Sequence, residues 1–438
     1  MSRLSVRSHS ESQGDSSDTC ATGLADPGDD ASIRYPQDES GCAVEAIELR
    51  IPGQYWDSFL YNGQLFLFTR DGDIELYDWD RLVSALGWSE NETPMATQML
   101  TRGRAWYAPP LQQLIKSPST ARHFHKIAAG LTAKKRTVGR SELKRARLTT
   151  QASPLFPHAD LEIYKNRAYV SGVEGIYQLR VPDWKSDLFE RVTDIPALRM
   201  AASYGSLAVA AGAEGLWDQP VPSRWGEVDE AHIVSTVPCQ AASWAHFDVV
   251  ATSIGVTGSS GYLAAYTNPK STDSTDGARS LIGTLPAEQI FGDRSGYLMA
   301  SQNRLLLLSS QAIEVETWNP YRRRPGEGVD LAKTRVAHKR FEEPRIKKEV
   351  IDAAVSVFGL VAEYDESLRI LANDGTTKRL AEPINWRCFQ RSTRYVNHLH
   401  VTFADHARIY AFVHDYFLKS PERGPSTARP TGPSEVGW

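Results

Sequence analysis

The sequence predicts an all-β chain: a single closed β-propeller of seven blades, with a helical basic insert in the first blade and disordered termini. Three observations predict it. The chain repeats itself with a period of 40 residues, each repeat holds several short β-rich runs, and a strand-like segment near the start belongs to no repeat of its own.

The repeat is clearest between 164 and 244. Residues 164–177 align without a gap on 204–217, matching Tyr164 with Tyr204, Ala168 with Ala208, Gly172 with Gly212, Glu174 with Glu214 and Gly175 with Gly215. Ala201-Ala202-Ser203-Tyr204 then returns as Ala241-Ala242-Ser243-Trp244, again 40 residues on. Within a unit, Tyr169, Val170, Ile176, Tyr177, Leu179 and Val181 fall in runs typical of strands. Glu174-Gly175, Glu214-Gly215 and Asp71-Gly72 sit where a tight hairpin needs a residue that accepts positive φ. Units of this length with about four short strands are propeller blades; a pair of β-sandwiches is the competing architecture.

Taken in chain order, the strand cores fall at 58–80, 160–181, 199–217, 240–266, 288–317, 351–374 and 386–417, which makes seven. Handovers between units carry an apolar residue before proline: Ile51-Pro52, Ile195-Pro196, Val237-Pro238 and Leu285-Pro286. Proline cannot donate to a ladder and suits the exit of an outer strand. Lys339–Pro344 and Lys378–Pro383 repeat a related handover. Ile47-Glu48-Leu49-Arg50-Ile51 alternates apolar and charged residues, as a half-buried strand does, whereas the last unit lacks an outer strand. The expectation is that 44–51 completes the last blade and latches the ring, leaving only short protected edges.

These features resemble the seven-bladed WD-repeat-like propellers over roughly residues 44–418, with Trp-Asp pairs at Trp79-Asp80 and Trp217-Asp218. The chain departs from that pattern in lacking the Gly-His pair of a WD repeat and in lacking Trp-Asp in most units. The resemblance implies the architecture and, by analogy of fold, a scaffold for protein–protein interaction.

Outside the repeats, residues 1–43 are rich in Ser, Asp and Gly and poor in apolar residues, which predicts a disordered acidic tail. Residues 419–438 carry Pro421, Pro425, Pro430 and Pro433 and read as a flexible linker ending in Trp438. The insert, 81–150, should hold a short helix capped by Asp80 and stopped by Gly87. A second helix, over 120–131, should be capped by Ser119 or Thr120 and carry Phe124, Ile127, Ala128 and Leu131 on one face. A third is expected near 141–147.

Charge is unevenly placed. The formal total is −4, but residues 1–46 hold nine acids and three arginines, a net −6, and residues 102–148 hold twelve Lys/Arg and one acid, a net +11. Residues 321–350 hold ten Lys/Arg and five acids, a net +5. Candidate partner-binding residues are therefore Arg122, Lys126, Lys134, Lys135, Arg136, Arg140, Lys144, Arg145, Arg147, Arg322, Arg323 and Arg324. The basic insert has three readings: a solvated loop, a docking site for an acidic protein or for the chain's own acidic tail, and a phosphate-backbone binder. Only Trp106, Tyr107 and Phe124 interleave with its cations, which weakens single-strand stacking. Residues 102–148 are expected to be dispensable for folding. The insert, the Ser/Thr/Asp-rich loop 267–279 and the Tyr321–Arg324 segment each follow the third strand of a unit, so all should decorate one face.

Enzyme chemistry finds little support. No phosphate-binding glycine motif, zinc-protease motif or nucleophile elbow occurs. His398 and His400, with His406, His414, Asp405 and Asp415 nearby, have strand spacing suited to a metal, but nothing completes a tetrahedral set, and satisfied strand histidines are expected instead. The expectation is no enzyme, no cofactor and no metal, with a hydrolase or lyase acting at the central channel as the alternative. Cys20, Cys42, Cys239 and Cys388 are scattered, no apolar run is long enough for a membrane helix, and the opening residues do not read as a signal peptide. The expected setting is cytoplasmic, with protein partners first, nucleic acid as the alternative, and no membrane.

Overall fold

The computed structural model describes residues 45–413 except 109–110, 112, 114–116, 182–188, 223–228, 255–259, 268–278, 324–326, 343–348 and 373–375. The two tails (1–43 and 419–438), Arg324, His414 and Asp415 lie outside the described residues. Seven antiparallel sheets follow one another: blade 1 over 55–152, blade 2 over 160–193, blade 3 over 199–235, blade 4 over 241–286, blade 5 over 297–342, blade 6 over 352–381 and blade 7 over 385–412. None closes on itself; six are open, four-stranded meanders, as propeller blades are, and the sheet of blade 7 has five strands, three of its own and two from earlier in the chain. The first strands of blades 2 to 7 touch in series, and that of blade 7 lies beside that of blade 1.

The burial patterns explain why the sequence shows no clean alternation in most strands. Second strands such as Arg167–Gly172, Ser206–Ala210, Val249–Ser253 and His398–Thr402 are buried along their whole length, because a blade neighbours them on both faces. Outer strands such as Arg147–Ala152 and Leu281–Pro286 alternate toward solvent. In the outer strands of blades 1 to 5 the register slips by one residue, the signature of a β-bulge. A bulge bends and twists a strand, which keeps these edges from offering a flat template to another chain.

Gly175 and Gly215 are fixed by geometry as well as by turn type. Their φ values are +118° and +87°. A Cβ at Gly175 would lie 2.1 Å from the Thr193 carbonyl oxygen, and one at Gly215 would lie 2.0 Å from that of Ser235. The repeated Glu-Gly therefore marks the place where the third strand starts against the end of the fourth.

Strand Ala46–Pro52 is the fourth strand of blade 7, running antiparallel to His406–Phe412 from Ala46 opposite Phe412 to Pro52 opposite His406. Pro52, lacking an N–H, stands at its exit. The free edge of this latch is covered by an unexpected strand, Lys135–Thr137, which runs parallel to Glu48–Arg50 and is continued by Val138 N–H donating to the Arg50 carbonyl at 2.8 Å.

Helices are few. Trp79–Ala85, Thr93–Arg102, Pro118–Thr132 and Arg140–Ala146 lie between the third and fourth strands of blade 1. The first is capped by Asp78, whose carboxylate accepts from Arg81 N–H, and not by Asp80 as the sequence suggested. Asp78 has the extended backbone that a cap requires; Asp80 is already inside the helix. The third starts at Pro118, where the missing N–H costs no bond. Residues 287–291, read as the start of a strand unit, form a short helix after Pro286, and blade 5 begins at Tyr297. Ala287, Glu288 and Gln289 are all good helix formers.

Candidate interaction face

In a four-stranded meander the first-to-second and third-to-fourth connections emerge on the same side. The helical stretch of blade 1 and residues 319–323 and 327–334 of blade 5 are third-to-fourth connections, so they share one face; the corresponding connection of blade 4 lies, at 268–278, outside the described residues.

The helical stretch is built into that face. Trp79 is fully buried and its indole N–H donates to the Leu100 carbonyl at 2.7 Å. Leu82, Val83, Met95, Ala96, Met99, Leu100, Ala128, Leu131, Val138 and Ala146 join the core shared by blades 7, 1 and 2. From blade 7, Asn397 Nδ2 donates to the Met99 carbonyl at 3.1 Å, and His398 Nε2 meets the same oxygen at 3.2 Å. Within 102–148, Ala128, Leu131, Val138 and Ala146 are in that core and Phe124 and Ile127 pack against it, so the expected apolar stripe of the 120–131 helix does face the framework, and the segment contributes buried surface that its deletion would remove.

The structure divides the candidate cations. Lys134 Nζ is 2.9 Å from Glu92 Oε1, and Arg136 Nη2 is 3.5 Å from Glu92 Oε2. The Arg136 guanidinium also lies 3.9 Å from the centre of the Trp88 ring and donates to the Leu86 carbonyl at 2.9 Å. Lys134 and Ser89 together hold the Glu92 carboxyl down at about 2. Arg147 is ion-paired with Glu75, and Arg145 is 3.5 Å from Glu142. Arg323 is buried and ion-paired with Asp248 of blade 4. Arg122, Lys126, Lys135, Arg140, Lys144 and Arg322 are exposed and meet no carboxylate among the described residues.

On the same face stand residues that charge counting passed over. Tyr321 is 85% exposed on a one-turn helix whose Tyr321 N–H is accepted by the Asn319 side chain, and its ring meets His246 edge-on at 5.6 Å. Tyr204, in the first turn of blade 3, is half exposed and stands edge-on to Trp244 at 5.6 Å. Arg391, from the first connection of blade 7, donates to the Ala202 carbonyl at 2.8 Å, so it bridges to blade 3. Such solitary exposed tyrosines have no sequence signal beyond lying in connections.

At the other end of the first strands a belt of charge crosses between blades. Asp57, Asp160 and Asp352 each accept from the N–H of the following residue, at 2.7, 2.8 and 2.8 Å. Arg387 spans Asp57 (2.6 Å) and Asp160 (3.3 Å); Arg199 spans Asp160 (3.7 Å) and Asp352 (2.6 Å). Burial alone would raise the Asp57 pKa, but Arg387 and His158 outweigh it and hold the carboxyl well below the usual range. Glu162 is pushed up to about 8, by burial and then by Asp160.

His398 and His400 are both buried in blade 7 with ring centres 5.9 Å apart. His400 Nδ1 is 2.7 Å from Ser58 Oγ. Among the described residues no group of three or more His, Cys, Asp or Glu is placed to hold a metal ion. No described helix is long and apolar enough to cross a membrane.

No family description and no curated protein matches the chain. Solved structures similar to it include the WD40 β-propeller domain of Doa1, at 9% identity over 82% of this chain and 93% of that one, TM-score 0.42. The N-terminal domain of Nup159 is similar at 7% identity over 86% and 97%, TM-score 0.42. The computationally designed Ika8 protein is similar at 10% over 84% and 100%, TM-score 0.41. The assignment of this chain as a seven-bladed β-propeller stands on its own sheets and their register.

Proposed function

We propose that the chain is a non-enzymatic scaffold that holds an acidic protein partner, within a multi-protein complex, on the face carrying its long connections. One observation supports this reading above others. The exposed cations Arg122, Lys126, Arg140, Lys144 and Arg322, unpaired with carboxylates among the described residues, all belong to connections that emerge on one side of a rigid framework. Exposed Tyr321 and Tyr204 add the aromatic anchors that protein interfaces favour. In this reading the latched blades form a closed ring within 44–418, interrupted by an insert at 81–150. A cytoplasmic setting agrees with the unpaired thiols of Cys239 and Cys388.

The test is affinity purification of wild type and of a variant with Arg122, Lys126, Arg140, Lys144 and Arg322 changed to glutamine, at low and high salt, with and without nuclease. Protein partners should survive nuclease, weaken with salt, and be lost by the variant. Partners lost on nuclease treatment would favour the phosphate-backbone reading instead. Equal capture by both proteins would remove the face from consideration.

A further inference from the structure

The seam between blades 6 and 7 gathers more positive charge than its own residues neutralise. In blade 7, Glu48 stands opposite Tyr410 and Arg50 opposite Arg408, and Lys135 pairs with Glu48 from the covering strand. Cross-strand partners project to one side of a sheet, as do residues two apart. Tyr410 packs with Leu380 of blade 6, so this whole set projects toward blade 6. From the facing outer strand, Lys378, two residues before Leu380, places its Nζ 4.7 Å from the centre of the Tyr410 ring.

The charges on this surface are Arg50, Arg408, Lys135 and Lys378 against Glu48 and Asp405, a net of two positive charges. Arg50 is held by Asp405 at 2.9 Å. Arg408 Nε donates to His406 Nε2 at 2.8 Å, and its Nη1 is 3.7 Å from Glu48 Oε1. His406 Nδ1 is 2.5 Å from Asp405 Oδ1. Lys135 and Lys378 have no hydrogen-bonding or ion-paired acceptor among the described residues. Lys378 is half-buried; burial lowers its pKa, and Lys135 and Arg408 push the same way while Glu48 opposes them. Like charges gathered beside a buried aromatic wall repel, and an anion between them reverses the sign of that energy.

We propose that Lys135, Lys378 and Arg408 form a binding site for a small phosphate-bearing anion at the rim of this seam. A phosphate monoester carries about two negative charges at neutral pH and three acceptor oxygens, which matches an excess of two positive charges presented by cations from three chain segments. A carboxylate would meet only half of that charge. The site is distinct from the partner face, because Lys378 lies on the outer strand of blade 6 and Arg408 on the third strand of blade 7, and only Lys135 comes from a long connection.

Inorganic pyrophosphate is the probe, titrated into the full chain at constant ionic strength and followed by calorimetry and thermal unfolding. The wild-type Tm should rise with pyrophosphate, and affinity should fall about ten-fold or more in Lys135→Gln and in Lys378→Met. Lys135 is exposed, so its variant tests binding without disturbing the core. Changing Lys126 and Lys144 to glutamine should leave the response unchanged. The proposal is overturned if about 10 mM pyrophosphate leaves the wild-type Tm unmoved, if both seam variants respond as the wild type does, or if the Lys126/Lys144 variant loses the response. A phosphoserine tripeptide binding more tightly than pyrophosphate would overturn the small-molecule assignment and point to a phosphorylated partner.

Discussion

Between pH 7 and 5 His398 and His400 should each cost this protein stability, while Glu162, pushed up to about 8, acts in the opposite sense. Both histidines are buried between blade 7 and its neighbours, and burial is the main reason both prefer the neutral form. His398 is brought down to about 4 from an unfolded value of 6.5, and His400 is depressed further by the neighbouring His398. The sign follows from proton counting. Below the unfolded pKa the unfolded chain takes up protons that the folded chain refuses, so stability falls as the pH drops through that value and continues to fall toward the folded pKa. At pH 5 each histidine contributes a loss of about 2 kcal/mol, and the pair about 4 kcal/mol, out of a total stability of roughly 5–15 kcal/mol. Other groups titrate as well, so the informative quantity is a difference between proteins. His398 uses Nε2 and His400 uses Nδ1, and glutamine and asparagine present an amide at the corresponding places. The double variant His398→Gln/His400→Asn keeps those bonds and cannot titrate. Urea unfolding at pH 7, 6 and 5 should show the wild type losing about 4 kcal/mol more than the variant. Equal losses in both proteins would refute the burial argument.

Arg387→Met leaves Asp57 and Asp160 without their shared guanidinium in a buried setting, and should cost about 3–5 kcal/mol in urea unfolding; a loss below about 1 kcal/mol would mean that water already reaches the belt. Replacing 95–147 with a short Gly/Ser linker should abolish cooperative unfolding in calorimetry. It removes Met95, Met99, Leu100 and Leu131, all at most 3% exposed, and each such side chain is worth about 2–5 kcal/mol. A soluble deletion variant with a sharp transition would show that the framework stands without these helices.

The blades were legible because local chemistry marks them. Paired units keep their register, and Gly175 and Gly215 recur because the neighbouring strand leaves no room for a Cβ. The latch was legible because Ile47–Ile51 alternates with no unit of its own beside a unit lacking its last strand. The basic run at 134–136 misled for a matching reason. Its charges are visible in the sequence, but their counter-charge, Glu92, lies 42 residues before Lys134, and the flat face that receives Arg136 belongs to Trp88. The central belt was invisible: Arg387 meets Asp57 across 330 residues and Asp160 across 227. No local pattern links residues brought together only when the blades assemble.

The latch also sets a clock on biosynthesis. Ala46–Pro52 leaves the ribosome well before its partner strand, which follows about 355 residues later, the separation of Arg50 from Asp405. At roughly 5–20 residues per second, that strand waits about 20–70 s for its place. Lys135–Thr137 emerges long before then and pairs with one of its two edges. During most of translation, therefore, only a single edge of the nascent latch is left for a chaperone, or a neighbouring chain, to seize.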